Sequence, residues 1–160
     1  MSLTLKKPSI TLKSLVFPML ASLALGGAFT SSLSAEPVQE PQLELLDAID
    51  VWLTPEALKR ASLTPELVEP IARDASQRRY RRIRAMGALT LLSPERAFAL
   101  LPQLLAHDSD REVRIQAAIL LARTFGERAK PTLLKALSNT QDEAVRSLLS
   151  KELEGIERAR

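Results

Sequence analysis

Apolar residues recur at helical spacing from Leu43 onward, in segments that are separated by short polar breaks. Three of these breaks share one device, because TPE begins at Thr54 and at Thr64, and SPE begins at Ser93. A hydroxyl N-cap accepts a hydrogen bond from an unpaired amide, proline at the first helical position loses no donor, and glutamate suits the positive helix end. The pattern predicts a series of short antiparallel helices.

Two later segments are predicted to begin with capping boxes, in which a hydroxyl residue is followed three positions later by glutamate. The two pairs are Ser109 with Glu112, and Thr140 with Glu143. An apolar stripe follows each box: Val113, Ala117, Leu120 and Leu121 in the first helix, and Val145, Leu148 and Leu149 in the second. Amphipathic helices of this kind have to bury their stripe against neighbours.

The sequence also repeats itself with a period of about 32 residues. The shift superimposes several leucines, and it also superimposes Asp110 on Asp142 and Val113-Arg114 on Val145-Arg146. Coincidental amphipathicity would match the leucines, but it would not also match an aspartate and a Val-Arg pair. A unit of two helices is therefore predicted to occur at least twice, over residues 93–126 and 127–155.

A third, less regular copy is predicted upstream, over residues 64–92. Its first helix is expected to be interrupted by Pro70, and its second helix starts at Arg78. The register of this copy is ambiguous, because Tyr80-Arg81 and Ile83-Arg84 both fit the Val-Arg position. Residues 43–61 are either a degenerate first unit or an end cap.

At DSDREVRIQAAILLA (108–122) and QDEAVRSLL (141–149), the sequence resembles the HEAT-repeat family, including its bacterial lyase-type variants. The resemblance covers residues 64–153 well and is specific for fold, but it is nearly silent on function. It implies an all-α domain over residues 43–160. The implied architecture is an α-α superhelix, a short HEAT-like solenoid of three to four helical hairpins, with the second helices on the concave side.

The repeated polar residues have a structural interpretation. Asp110 and Asp142 are placed to bond the turn backbone, and Arg114 and Arg146 to pair with an acid of an adjacent repeat, which would form a ladder between layers. The alternative is that these acids contact a ligand. Ala117 and Ala118 would let the helices approach closely.

The first 35 residues have the layout of a secretory signal peptide. Lys6, Lys7 and Lys13 precede an apolar run of 15 residues from Leu15, and cleavage is predicted after Ala35. The run is shorter than the ~20 residues of a membrane span, although an uncleaved anchor is the alternative. Residues 36–42 are expected to be a flexible leader. The membrane is thus predicted to be a partner only before cleavage, and the location to be the periplasm or the exterior.

Removing the signal peptide changes the charge argument. The whole chain carries a net charge of +3, with 22 basic and 19 acidic residues. Without the three leader lysines, the 19 remaining basic residues equal the 19 acidic ones. The basic character therefore belongs to the export signal, and it is no evidence for nucleic acid as a partner.

No constellation of residues predicts reaction chemistry. The chain has no cysteine and a single histidine, His107, beside which no further metal ligands are spaced. A nucleophile motif and a Gly-rich phosphate loop are missing as well, and Gly126 is placed to end a helix. We therefore predict no catalytic, cofactor or metal site. Trp52, the sole tryptophan, is interpreted as an anchor of the first helix rather than a binding hot spot.

The strongest functional hint is RRYRRIR at residues 78–84, with five arginines in seven residues. Tyr80 and Ile83 are predicted to face the core, and some of Arg78, Arg81 and Arg82 to reach solvent. Three uses compete. The patch pairs within the chain with an acidic front (Glu44, Asp47, Asp50, Glu66 and Glu69), or it binds an acidic protein, or it binds phosphate groups.

These observations favour an exported scaffold or adaptor that binds another protein in the cell envelope. Its working surface is expected near Arg81, Arg84 and Arg114. The candidate partner-binding residues are Arg78, Arg81, Arg82, Arg84 and Arg114. The alternative is an anion-binding envelope protein that recognises lipid or polysaccharide phosphates. An enzyme of the bilin-lyase branch is a further alternative, but no residue supports it and export argues against it.

Overall fold

A computed structural model describes residues 40–159, and every regular element among them is helical. In chain order the α-helices are α1 (Glu40–Asp47), α2 (Pro55–Arg60), α3 (Pro65–Arg73), α4 (Arg79–Leu92), α5 (Pro94–His107), α6 (Arg111–Phe125), α7 (Lys130–Asn139) and α8 (Glu143–Arg158), with a 3-10 turn at Gly126–Ala129. The predicted signal peptide lies outside the described residues. The prediction of an all-α fold is confirmed.

The helices form three hairpins that are stacked in chain order. Within each hairpin the two helices contact each other: α3 with α4, α5 with α6, and α7 with α8. The second helices also contact one another, because α4 packs on α6 and α6 packs on α8. The short helices α1 and α2 both pack against α4 at the start of the stack. This arrangement is the predicted solenoid of helical hairpins.

The core of the stack consists mainly of leucine and alanine. Leu89, Leu121 and Leu149 are fully buried, one on each second helix. Ala117 and Ala118 are also fully buried, which allows α6 to lie close to its neighbours. Each fully buried leucine contributes about 1.5–3 kcal/mol relative to an exposed one, so neighbouring hairpins stabilise each other.

Proline marks three helix starts, as the sequence predicts. Pro55, Pro65 and Pro94 are the first residues of α2, α3 and α5. A hydroxyl cap is formed at one of the three, where Thr54 Oγ1 accepts a hydrogen bond from Ala57 N at 3.1 Å. At the other two starts the N-cap side chain accepts no such bond.

The helices α6 and α8 begin on aspartate, so the predicted capping boxes are wrong. Asp110 Oδ1 accepts from Glu112 N at 2.9 Å, and Asp142 Oδ1 accepts from Ala144 N at 3.1 Å. The aspartate is the N-cap instead of the hydroxyl residue because it lies directly before the first helical residue, where its short carboxylate reaches the free amides. Thr140 Oγ1 instead accepts from the Asp142 amide at 3.2 Å.

Two segments that contain proline are helical where the sequence predicts a leader or a break. Glu40–Gln42, expected in a flexible leader, form the first turn of α1, where Pro41 needs no amide donor. Pro70 does not interrupt α3, which continues to Arg73. The missing Pro70 donor costs the helix one internal hydrogen bond, but Val68 and Ala72 on either side are fully buried and hold the helix in place.

Gly126 ends α6, as predicted. Its φ of 49° and ψ of −125° are disfavoured for residues that carry a Cβ atom. The change of chain direction at Gly126 leads into the 3-10 turn. There the Arg128 guanidinium lies 4.0 Å from the centroid of the Phe98 ring, and Phe98 packs edge-on against Phe125. This contact ties the second and third hairpins together.

Candidate functional site

The arginine-rich helix, defined here as residues 78–84, lies at the beginning of α4. Its first turn contains no acid, so its cations stand at the positive end of the helix dipole. Carboxylates from other elements neutralise the positive charge that collects there. They are supplied by α1, through Asp47, and by the turn between α5 and α6, through Asp108 and Asp110.

Some of Arg78, Arg81 and Arg82 are expected to reach solvent; Arg78 is exposed, and Arg82 is the most buried of these arginines. Its side chain is 3% exposed, and that of its partner Asp108 is 6% exposed. The two Nη atoms bond the two Asp108 oxygens, and Nε donates to the Ala72 carbonyl at 3.2 Å. Arg82 therefore joins α3, α4 and the next hairpin, and it is not available to a partner in this state.

A corresponding contact lies one hairpin further along. Arg114 Nη2 donates to Asp142 Oδ2 at 2.6 Å, and Nη1 donates to the Asp108 carbonyl at 2.9 Å. Arg146, another 32 residues on, donates to the Thr140 carbonyl at 2.7 Å in the same way, but its ion pair is with Glu143 of its own helix. The predicted contact with an acid of an adjacent repeat is therefore formed by Arg114 and not by Arg146. The residue 32 positions before Arg114 is Arg82. The Val-Arg position of the first copy is therefore occupied by Arg81-Arg82. Neither of the two predicted registers, Tyr80-Arg81 or Ile83-Arg84, is correct.

The N-cap aspartates combine two roles. Asp110 Oδ2 accepts from Arg79 Nε at 2.6 Å, and this hydrogen bond is the main reason that the pKa of Asp110 lies below its ordinary value of 3.8. For Asp142, burial acts to raise the pKa, but hydrogen bonds from the Val145 amide and from Arg114 outweigh it, and the pKa is lowered. Both carboxylates are therefore more stable as anions in the folded chain than in the unfolded one.

Arg81 and Arg84 hold α1 against α4. Arg81 Nε donates to Asp47 Oδ1 at 2.9 Å, and this hydrogen bonding lowers the pKa of Asp47. Arg84 Nη2 donates to the Leu45 carbonyl at 2.9 Å, while its buried Nε has no partner among the described residues. These two predicted partner-binding arginines therefore lie under the first helix.

Part of the acidic front is paired within the chain, but away from the arginine-rich helix. Arg96 on α5 donates to both Glu66 and Glu69 of α3, and Arg73 donates to Glu69 at 3.0 Å. Hydrogen bonding to Arg73 is the main cause of the lowered pKa of Glu69. Glu44 and Asp50 form no ion pair with any residue that the structure describes.

A group of exposed apolar residues, which we call the Trp52 cluster, lies in and beside the connection at the start of the stack. It consists of Ile49, Val51 and Trp52 in the connection between α1 and α2, together with Tyr80. The side chains of Trp52 and Ile49 are 88% and 77% exposed. The expectations that Trp52 anchors the first helix and that Tyr80 faces the core are therefore wrong.

The neighbour of Trp52 performs the anchoring role. Leu53 packs against the core, with its Cδ1 atom 3.4 Å from where a Cβ on Gly87 would lie. Tyr80 Oη lies 3.3 Å from the carbonyl oxygens of both Ala48 and Ile49. Because the connection is held at both ends, Trp52 is directed away from the core. The sequence offers little indication that Trp52 is exposed, because the connection is not helical and its apolar residues follow no helical period.

Residues suited to chemistry do not converge on one point. His107 is exposed at the end of α5. Among residues 40–159, no group of three or more His, Asp or Glu side chains is placed to hold a metal ion. No helix in this range is both long and apolar enough to cross a membrane.

Comparisons with known proteins agree with this architecture. No curated protein and no solved structure matches the chain. A search of protein families matches residues 64–154, more than half of the chain, to the HEAT repeats. This match spans the three hairpins, which contain the Arg82, Arg114 and Arg146 contacts described above. HEAT repeats commonly mediate contacts between proteins and are generally non-enzymatic scaffolds. The chain belongs to the HEAT-repeat family.

Proposed function

We propose that this chain is an exported protein-interaction module of the cell envelope, and that the Trp52 cluster is its docking face. The observation that carries the proposal is the exposure of Trp52, the single tryptophan of the chain. A cluster of large apolar side chains exposed together marks an interaction site more often than a scattered single residue does.

The composition of the cluster suits recognition of a protein. Tryptophan, tyrosine and arginine are the residues that most often dominate protein interfaces. Arg78, which precedes α4, is exposed and forms no ion pair with a described residue. It is close enough to Asp47 to contribute to the lowered pKa of that carboxyl. The partner expected here offers an apolar pocket for Trp52 with an acceptor group at its edge.

The connection that carries Trp52 is fixed before binding. Leu46 and Leu53 are packed on the core on either side of it, and the Tyr80 hydroxyl bonds its backbone. A partner would therefore lose little free energy in ordering this segment, which favours affinity.

The contacts of the arginines argue against the partner-binding surface that the sequence predicts near Arg81, Arg84 and Arg114. Arg81, Arg82 and Arg114 already bond carboxylates of the chain. A partner or a phosphate group would have to displace those carboxylates at a considerable cost in free energy. The same contacts weigh against the alternative of an anion-binding envelope protein that uses this helix.

Export is supported by the sequence layout of residues 1–35 and has its own test. The full chain is expressed in a bacterial host, and the product is recovered from the periplasmic and cytosolic fractions. Intact-mass measurement is expected to find a periplasmic chain that begins at Glu36. A full-length chain confined to the cytosol would contradict export without bearing on the docking face.

The docking face is tested by photo-crosslinking in cells. A photoreactive phenylalanine replaces Trp52 in one variant and exposed Lys151 of α8 in a control variant. We expect a protein adduct at position 52 that is missing at position 151. The protein identified is then purified, and the Trp52→Ala change is expected to weaken its binding by about 2 kcal/mol or more, roughly 30-fold. Equal adducts at both positions, unchanged binding, or crosslinking to lipid alone would overturn the proposal.

A further inference from the structure

A cleft of about 430 Å³ lies between the C-terminal parts of α5 and α7. Its volume is within the ~300–1,000 Å³ that is typical of ligand sites. Its apolar lining is contributed by both helices and by the start of α8. The apolar residues are Pro102, Leu105, Ala106, Ala136 and Val145. We call this feature the α5–α7 cleft.

The polar lining of the cleft holds hydrogen-bonding side chains that have no partner. His107, Thr132, Lys135 and Asn139 line it, and none of these side chains forms a hydrogen bond or ion pair with a residue that the structure describes. Most cations on α4 and α6 have a carboxylate partner instead. An acceptor-rich ligand would find several unused donors here.

The charge of the lining is one-sided. Lys135 and Arg114 line the cleft, and no aspartate or glutamate does. Arg114 is already paired with Asp142, which lies outside the lining, so Lys135 is the cation of the lining that has no carboxylate partner among the described residues. The cleft at the other side of the same turn differs, because Arg79 and Arg111 share it with Asp110 and Glu112. Those acids compensate the arginines within the cleft itself. The α5–α7 cleft therefore offers an anion one unpaired cation, Lys135, whereas Arg79 and Arg111 of the neighbouring cleft are paired with its own acids.

We propose that the α5–α7 cleft binds a short acidic peptide segment of a partner protein. One carboxylate of the segment pairs with Lys135, and Asn139 and Thr132 donate to the peptide. A small apolar side chain next to that carboxylate rests on Ala136 and Val145. A lone carboxylate would leave this apolar floor uncovered, so a peptide is the better fit. The cleft shares no residue with the Trp52 cluster, and the proposal does not depend on it.

The test is a titration of the isotope-labelled full chain, followed by the NMR shifts of its backbone amides at low salt. The probe is the blocked peptide Glu-Val-Glu-Val-Glu, compared with blocked Gln-Val-Gln-Val-Gln and with free glutarate. We expect the acidic peptide to shift amides of α5 and α7 around the cleft, and to bind more tightly than either comparison ligand.

Matched variants make the assignment specific. Lys135→Gln is expected to weaken the acidic peptide about three- to fivefold, as loss of one exposed ion pair does. Lys151→Gln, an exposed lysine on α8 that does not line the cleft, is expected to leave binding unchanged. Equal binding of the neutral peptide or of glutarate, shifts confined to other helices, or equal effects of the two variants would each overturn the proposal.

Discussion

Arg82 on α4 and Asp108 after α5 form an ion pair that is almost excluded from solvent, with side chains 3% and 6% exposed. The same guanidinium donates to the Ala72 carbonyl of α3. One arginine therefore connects both helices of its own hairpin to the turn between the two helices of the next hairpin. The arginine-rich helix is built into the stack of hairpins, and other surfaces are left to meet a partner.

The stability of the fold is expected to depend on pH below about pH 5. Hydrogen bonding lowers the pKa of several carboxyls, which are Asp47, Glu66, Glu69, Asp74, Glu95, Asp110 and Asp142. A lowered folded-state pKa contributes stability that is present above the unfolded pKa and lost as the pH falls through the folded one. The urea midpoint should be level near neutral pH and fall steeply in acid. A midpoint that rises between pH 5 and pH 3 would contradict this.

The N-cap residues Thr54 and Ser93 are expected to differ in how much they stabilise the fold. Thr54→Ala removes the bond to the Ala57 amide and should lower the free energy of unfolding by about 1 kcal/mol. Ser93→Ala removes an N-cap side chain that makes no capping bond, and should cost less. Urea unfolding of the two variants measures the difference. The reverse order would contradict the assigned cap geometry.

Two glycines are expected to respond in opposite ways to alanine. Gly126 has a φ of 49°, so Gly126→Ala should destabilise the fold by about 1 kcal/mol or more. Gly155 lies inside α8, and a Cβ there meets no atom within 4 Å. Gly155→Ala should therefore stabilise by about 0.5–1 kcal/mol. Thermal unfolding of both variants is the measurement, and shifts of the same sign would contradict the backbone assignment.

Trp52 is expected to contribute little to stability. Because its side chain is 88% exposed, Trp52→Ala should change the free energy of unfolding by less than about 0.5 kcal/mol. Leu46→Ala, at a fully buried position on α1, should cost about 2–5 kcal/mol. A loss at Trp52 comparable to that at Leu46 would show that the tryptophan is part of the core.

The helices and their repetition follow from local signals in the sequence. Proline at a helix start and apolar residues at helical spacing act within a few residues, so α2, α5, α6 and α8 could be predicted. The N-cap aspartates were less obvious, since a hydroxyl residue stands one or two positions before each. To decide whether the hydroxyl residue or the aspartate is the N-cap, one needs to know the first helical residue. The apolar pattern predicts that a helix is present more reliably than it predicts where the helix begins.

The pairing of the arginines could be predicted only in part. Counting back 32 residues from Arg114 reaches Arg82, but counting back from Asp110 reaches Arg78, so the aspartate that marks the register is absent from that copy. Asp108 is a partner that no periodicity indicates, because Thr140 occupies its place in the next unit. Tertiary packing decides such contacts. Residues of the irregular connection at Trp52 are likewise placed by packing rather than by a local period.

The coupling between Arg82 and Asp108 tests most directly whether the arginine-rich helix is part of the stack. Urea unfolding is measured for Arg82→Met, Asp108→Asn and the double variant, with Arg123→Met as an exposed control. Each single change should cost about 3–5 kcal/mol, because it leaves a buried charge or polar group without its partner. The double variant should lose at least about 1.5 kcal/mol less than the sum, whereas additive losses within about 0.5 kcal/mol would contradict the pairing.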